Sequence, residues 1–162
     1  MAKKTAAEKV SQINVYVKDG LFDQVGEGIA KDIADLAITG VKKVRHIRVY
    51  TITGNLADAA LKKIGSELLA DKVTQNYTVG EPPEALTKGA WVVHVRFNHG
   101  VTDAVGETAS KGIRDLGIKG ASAVHTSNIY LISGKVSKAH VDEICRKLLA
   151  NNVIQSYEMV KR

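Results

Sequence analysis

Two carboxylates one helical turn apart, Asp23 and Glu27, stand beside Gly20, Gly26 and Gly28. The pair recurs eighty residues later as Asp103 and Glu107, beside Gly100 and Gly106. Paired carboxylates could do general acid–base work or hold a divalent cation. Glycines at a helix start could seat a phosphate on free backbone N–H groups. A plainer reading fits both features better. An Asp before a helix is an N-cap, and a Glu in the first turn is stabilised by the helix dipole. The glycine spacing matches neither GxGxxG nor a P-loop, and Gly28 becomes Thr108 in the second occurrence.

The remaining reactive side chains are scattered. The histidines are His46, His94, His99, His125 and His140; none has another His four residues away or at the equivalent place eighty residues on. That pattern argues against a metal site. The single cysteine, Cys145, excludes an internal disulfide, and on an apolar helix face it reads as a small buried residue rather than a nucleophile. No catalytic metal, cofactor or nucleophilic constellation is nominated. Binding or scaffolding is favoured over independent catalysis.

The formal net charge is +6. Much of the excess sits in the N-terminal ten residues and in Lys161–Arg162, and the one dense basic run is Lys42 to Arg48. Its counterpart, Ser122 to Asn128, has no Lys or Arg, whereas a phosphate-tracking surface built from a repeat would be basic in both copies. Nucleic acid is therefore not the expected partner. No apolar run approaches the roughly 20 residues needed to span a bilayer, the start lacks a secretory pattern, and a reduced cytoplasmic setting is expected.

The carboxylates sit in a duplication. From Ile13 and Val93 onward, 24 of 67 aligned positions are identical without a gap. In each copy an alternating strand (Ile13–Val17; Val92–Phe97) leads through a glycine turn to an Asp cap. Val25, Ile29, Ile33 and Leu36 then form one helical face, repeated by Val105, Ala109, Ile113 and Leu116. Gly40 and Gly120 suit the helix exit. The stretches VRHIRVYTI and VHTSNIYLI read as two short strands turning at Arg48 or Asn128, with one long bent strand as the alternative. A second helix and a last strand, QNYTV or QSYEM, close each copy.

That order is the split βαβ pattern of ferredoxin-like folds, an α+β class. Residues 1–11 are expected to be a tail, 12–79 and 91–162 the two units, and 80–90 a linker stiffened by Pro82 and Pro83. Each unit alone is small for a stable core. The expected solution is a pseudo-two-fold pair within one chain, in which each sheet covers the other.

The segments VKDGLFDQVGEGIAKDI and LLADKVTQNYTV, with CRKLLANNVIQSYEM, resemble the PurS family and the PurS-like N-terminal region of phosphoribosylformylglycinamidine synthases. The family's turn motif falls on Lys18, Gly20, Asp23 and Gly26 in copy one. In copy two it falls on Gly100, Asp103 and Gly106, with Asn98 replacing the lysine. The resemblance implies a purine-biosynthesis component without catalytic residues. It would be a subunit or region of a glutamine-dependent, ATP-using ligase. Its partners would be PurL-like synthetase and PurQ-like glutaminase subunits or domains, which it bridges while assisting ammonia transfer, and self-association is open to it. ATP, Mg and glutamine would be used by the complex, with no cofactor held by this chain alone. The alternative is a ligand-sensing regulatory module with tandem ferredoxin-like units.

Overall fold

The computed structural model describes residues 7–162; the part of the expected tail formed by residues 1–6 lies outside them. Copy one runs β1 (Val10–Val17), α1 (Gln24–Asp35), β2 (Val41–Gly54), α2 (Asp58–Lys63) and β3 (Gln75–Val79). Copy two repeats it as β4 (Trp91–Phe97), α4 (Ala104–Asp115), β5 (Ala121–Gly134), α5 (Lys138–Ile144) and β6 (Gln155–Lys161). α2 and α5 continue as π-helical turns, Ile64–Leu69 and Cys145–Leu149. The connector carries the short helix α3 (Glu84–Thr87).

The region around Arg48 and Asn128 settles on the long strand rather than on two short ones. A two-residue hairpin needs φ > 0 at its centre, which favours Gly, Asn or Asp there. Ile47-Arg48-Val49 offers β-branched residues instead, and the backbone stays extended through both stretches.

This one difference reorganises the molecule. All strands of the described residues lie in one antiparallel sheet of order β3-β1-β2-β5-β4-β6. β2 pairs with β5 from Val41↔Gly134 to Gly54↔Ala121, with Arg48 opposite Asn128 at the middle. Because these two are counterparts in the repeat, the pairing is symmetric about them. The repeats thus join edge to edge, not by stacking one sheet on the other as the uncovered faces suggested.

β1 pairs only with the later part of β2, from Ile47 to Thr53, and β4 only with Ser127 to Ile132 of β5. The earlier part of each long strand therefore lies in the other copy's half of the sheet. The helix before it follows. Ile33, Ile38 and Val44 of copy one pack with Val93, Val95, Ile132, Val141, Ile144 and Cys145 of copy two. Reciprocally, Ala109, Ile113 and Val124 pack with Ile13, Ile52, Leu61 and Ile64. Each half is a ferredoxin-like unit whose first helix and following strand come from the other copy. The hydrophobic stabilisation of either half, about 25 cal/mol per Å² of apolar surface buried, thus depends on both repeats.

The opposite face of the sheet is apolar only at its centre. There Ile47, Val49, Ile129 and Leu131 are buried together with Ala90, and Leu86 packs against them. The connector thus acts as a strap across the back of the β2–β5 seam.

Two local expectations shift. The buried stripe of α1 begins at Gly26 rather than Val25, which is 44% exposed, and Val105 is likewise exposed. Neighbouring helix positions differ by about 100°, so the glycine's contact with the strand turns the preceding valine outward. The helices exit earlier than Gly40 and Gly120, at the left-handed residues Ala37 and Gly117; Gly40 and Gly120 also hold positive φ, at the start of the next strand. A Cβ on Gly40 would instead strike the Lys135 carbonyl, and one on Gly120 the Asn55 carbonyl. Both glycines let a long strand begin against the backbone of the other copy.

Candidate functional site

The repeated turn motif is built around its aspartate. Asp23 Oδ1 accepts the Gly26 N–H at 3.0 Å, closing the N-cap of α1. Its Oδ2 accepts the N–H of His46, 2.9 Å away on the part of β2 not covered by β1. Asp103 does the same with Gly106 at 2.8 Å, and takes both the N–H and the hydroxyl of Thr126. Each carboxylate therefore joins a helix start to an otherwise unpaired strand edge. Gly26 and Gly106 permit the approach, since a Cβ on either would overlap the carbonyl oxygen of Val44 or Val124. Open space surrounds Gly28, and this explains Thr108 in the other copy.

Gly20 and Gly100 hold φ values of +81° and +83°, the left-handed turn that returns the chain to the helix. Lys18 Nζ donates to the Lys72 carbonyl at 2.8 Å, tying this turn to the loop before β3. Both copies also tie this turn through the backbone, Lys18 N–H to the Thr74 carbonyl and Asn98 N–H to the Ile154 carbonyl, and only Lys18 adds the side-chain bond. Lys18, Gly20, Asp23 and Gly26 are thus brought together, as are Gly100, Asp103 and Gly106. Both carboxylates are engaged in structural hydrogen bonds, and each takes one helix-start amide, that of Gly26 or Gly106.

Strand pairing also creates a contact that spacing along the chain does not reveal. His94 Nε2 lies 2.7 Å from Ser127 Oγ, and Arg96 Nη2 lies 2.7 Å from His94 Nδ1. Arg96 also meets Glu158 at 3.2 Å. The protons decide what this array can do. Arginine only donates, so His94 Nδ1 accepts and the proton sits on Nε2. His94 therefore donates to Ser127 and cannot remove its proton, so this is not a nucleophilic dyad. Burial, and secondarily the charge of Arg96, pull the His94 pKa down to about 4. Period-two alternation alone would have placed His94 and Arg96 on one face; Ser127 needed the register.

Cys145 is fully buried, and burial pushes its thiol up to about 12, as expected for a packing residue. Among the described residues no three His, Cys, Asp or Glu side chains gather as a metal site. No described helix is long and apolar enough to cross a membrane. The basic run does not form one surface either. Arg45 is tied to Asp19 at 2.7 Å and to the Val17 carbonyl, while Arg48 projects from the opposite face of β2.

Arg48 stands in a cleft of about 660 Å³ on the helical face, with His46 and Tyr50 in its floor and Leu21 and Phe22 at its rim. His46 Nε2 donates to Asn128 Oδ1 at 2.8 Å, and its ring lies 5.3 Å from that of Tyr130. Burial lowers the His46 pKa, opposed by the Asn128 hydrogen bond.

These features define a class: a duplicated α+β protein whose repeated polar residues hold helices to strands and leave grooves between them. Comparison with known proteins places it further. The PurS family model, described as phosphoribosylformylglycinamidine (FGAM) synthase, matches residues 10–81 and again 90–162. The chain belongs to the PurS family. The phosphoribosylformylglycinamidine synthase subunit PurS of Archaeoglobus fulgidus is 37% identical over 75 residues, which span 43% of this chain and 94% of that protein.

Proposed function

We propose that this chain is a non-catalytic component of phosphoribosylformylglycinamidine synthase in purine biosynthesis, a covalently joined pair of PurS-like units. It bridges the glutaminase and synthetase parts of that enzyme and assists the passage of ammonia between them. The carrying observation is that two family matches, over residues 10–81 and 90–162, are interleaved into one sheet, so that neither half of the core is made by one repeat. Such a body offers two similar but unequal flanks to two different partners. ATP, Mg²⁺ and glutamine belong to those partners. The cytoplasm is the proposed setting.

The test is assembly. The purified chain, mixed with PurL-like synthetase and PurQ-like glutaminase proteins, is expected to migrate with both in gel filtration. Migration of the chain alone, with either partner absent from its peak, contradicts the bridging role.

A further inference from the structure

Arg48 has a distinctive electrostatic position. Its Nε is buried without a hydrogen-bond partner, and no carboxylate of the described residues forms an ion pair with it. A buried N–H donor normally has a partner, and Arg48, half-buried overall, leaves its Nε without one. The nearby capping carboxylates are turned to other donors. Asp23 holds Gly26 and His46, and Asp103 holds Gly106 and Thr126. The guanidinium charge is felt by His46, Tyr50 and Tyr130, so it acts on the floor of the cleft rather than on bulk solvent alone.

We infer that the cleft at Arg48 is a binding site for a small-molecule oxyanion, a carboxylate or a phosphate, which supplies the missing partner of the guanidinium. Arginine presents a planar fork of donors that matches either group. The cleft's volume is in the range of small-ligand sites, about 300–1,000 Å³. Its mixed lining suits a molecule with a less polar portion beside the anion: Tyr50 lies next to Arg48, while Leu21 and Phe22 form the rim. The site is single. By the repeat, Arg48 becomes Asn128, His46 becomes Thr126 and Phe22 becomes Thr102. One molecule per chain is therefore expected, in a cleft whose counterpart has lost its charge. This inference concerns a ligand of the chain itself and does not depend on the bridging role.

The test is an NMR titration of the whole chain with inorganic phosphate, ribose 5-phosphate and L-glutamate, following the Nε–Hε signal of Arg48. Saturable movement with a phosphate or a carboxylate is expected, with a dissociation constant below about 1 mM for the better organic anion. The phosphate and glutamate arms identify which oxyanion the fork takes. Arg48→Lys should weaken binding about tenfold, because it keeps the charge and loses the fork. Arg48→Gln should abolish it, and Arg45→Gln should leave it intact. Backbone spectra that superimpose outside the cleft establish that the variants are folded. No saturable response to any of the three anions overturns the inference, as does binding that survives Arg48→Gln.

Discussion

Gly112 of α4 lies directly against Leu68 of copy one: a Cβ on the glycine would stand 2.6 Å from Leu68 Cδ1. The contact joins a helix of the second repeat to the helical turn of the first, and it shows how closely the two copies are threaded together. A helix packed only on its own strands would never reach that leucine. The threading has direct consequences for what happens when the chain is cut.

Separated repeats should be unable to complete their own cores. A fragment ending in the connector, expressed with a second fragment beginning after it, is expected to co-purify as a one-to-one pair with the circular dichroism of the whole chain. Each fragment alone should be unfolded or should pair with itself, taking the missing helix and strand from a second copy. A stably folded monomer of either fragment would contradict the interleaved core.

The glycines at the helix starts make a paired prediction. Gly26→Ala and Gly106→Ala force a methyl onto a strand carbonyl and should each cost about 1–3 kcal/mol in chemical denaturation. Gly28→Ala meets open space in the same helix and should stabilise by about 0.5–1 kcal/mol. Equal effects at the two sites would refute the close approach of α1 to β2.

Stability should fall on mild acidification. His94 titrates near 4 in the folded protein because burial disfavours its charged form, and His46 is lowered for the same leading reason. In the unfolded chain both titrate near the ordinary histidine value of about 6.5. Between those values the unfolded state binds more protons, so unfolding free energy decreases as pH drops from about 6.5 towards 4. His94→Asn, which installs the copy-one counterpart Asn14, should flatten that dependence. An unchanged pH profile for the variant would show that His94 is not a source of it.

The thiol offers a simple probe of the core. With its pKa near 12 and no exposed surface, Cys145 should resist a thiol reagent at pH 8 and react fully once the chain is denatured. Rapid labelling of the native protein would place α5 outside the core.

Much of this architecture can be read from the residues. The eighty-residue offset, the Asp23 and Asp103 caps, the first and last strands of each copy and the inert cysteine follow from periodicity and residue chemistry. The interleaving does not, for a physical reason. Ile33 and Ile113 present the same apolar stripe whichever half of the sheet they meet. What decides is whether the chain turns at Arg48 and Asn128 or runs straight through, and the period-two pattern is common to both outcomes. Gly40 and Gly120 mislead similarly, because a helix exit and a close passage against another copy both favour glycine. The Arg48 cleft is hidden for another reason: a basic run shows which charges are present, but only the folded strand places Arg45 on Asp19 and leaves Arg48 Nε unpartnered.

The bridging role is tested most directly by the activity of the reconstituted synthase. PurL-like synthetase and PurQ-like glutaminase should be assayed with and without this chain, using glutamine or free ammonia as the nitrogen source. The account predicts that the chain raises the glutamine-dependent rate at least about tenfold while leaving the ammonia-dependent rate nearly unchanged, equivalent to about 1.4 kcal/mol of barrier on the coupled route alone. Glutamine-dependent synthesis that proceeds equally well without the chain would contradict it.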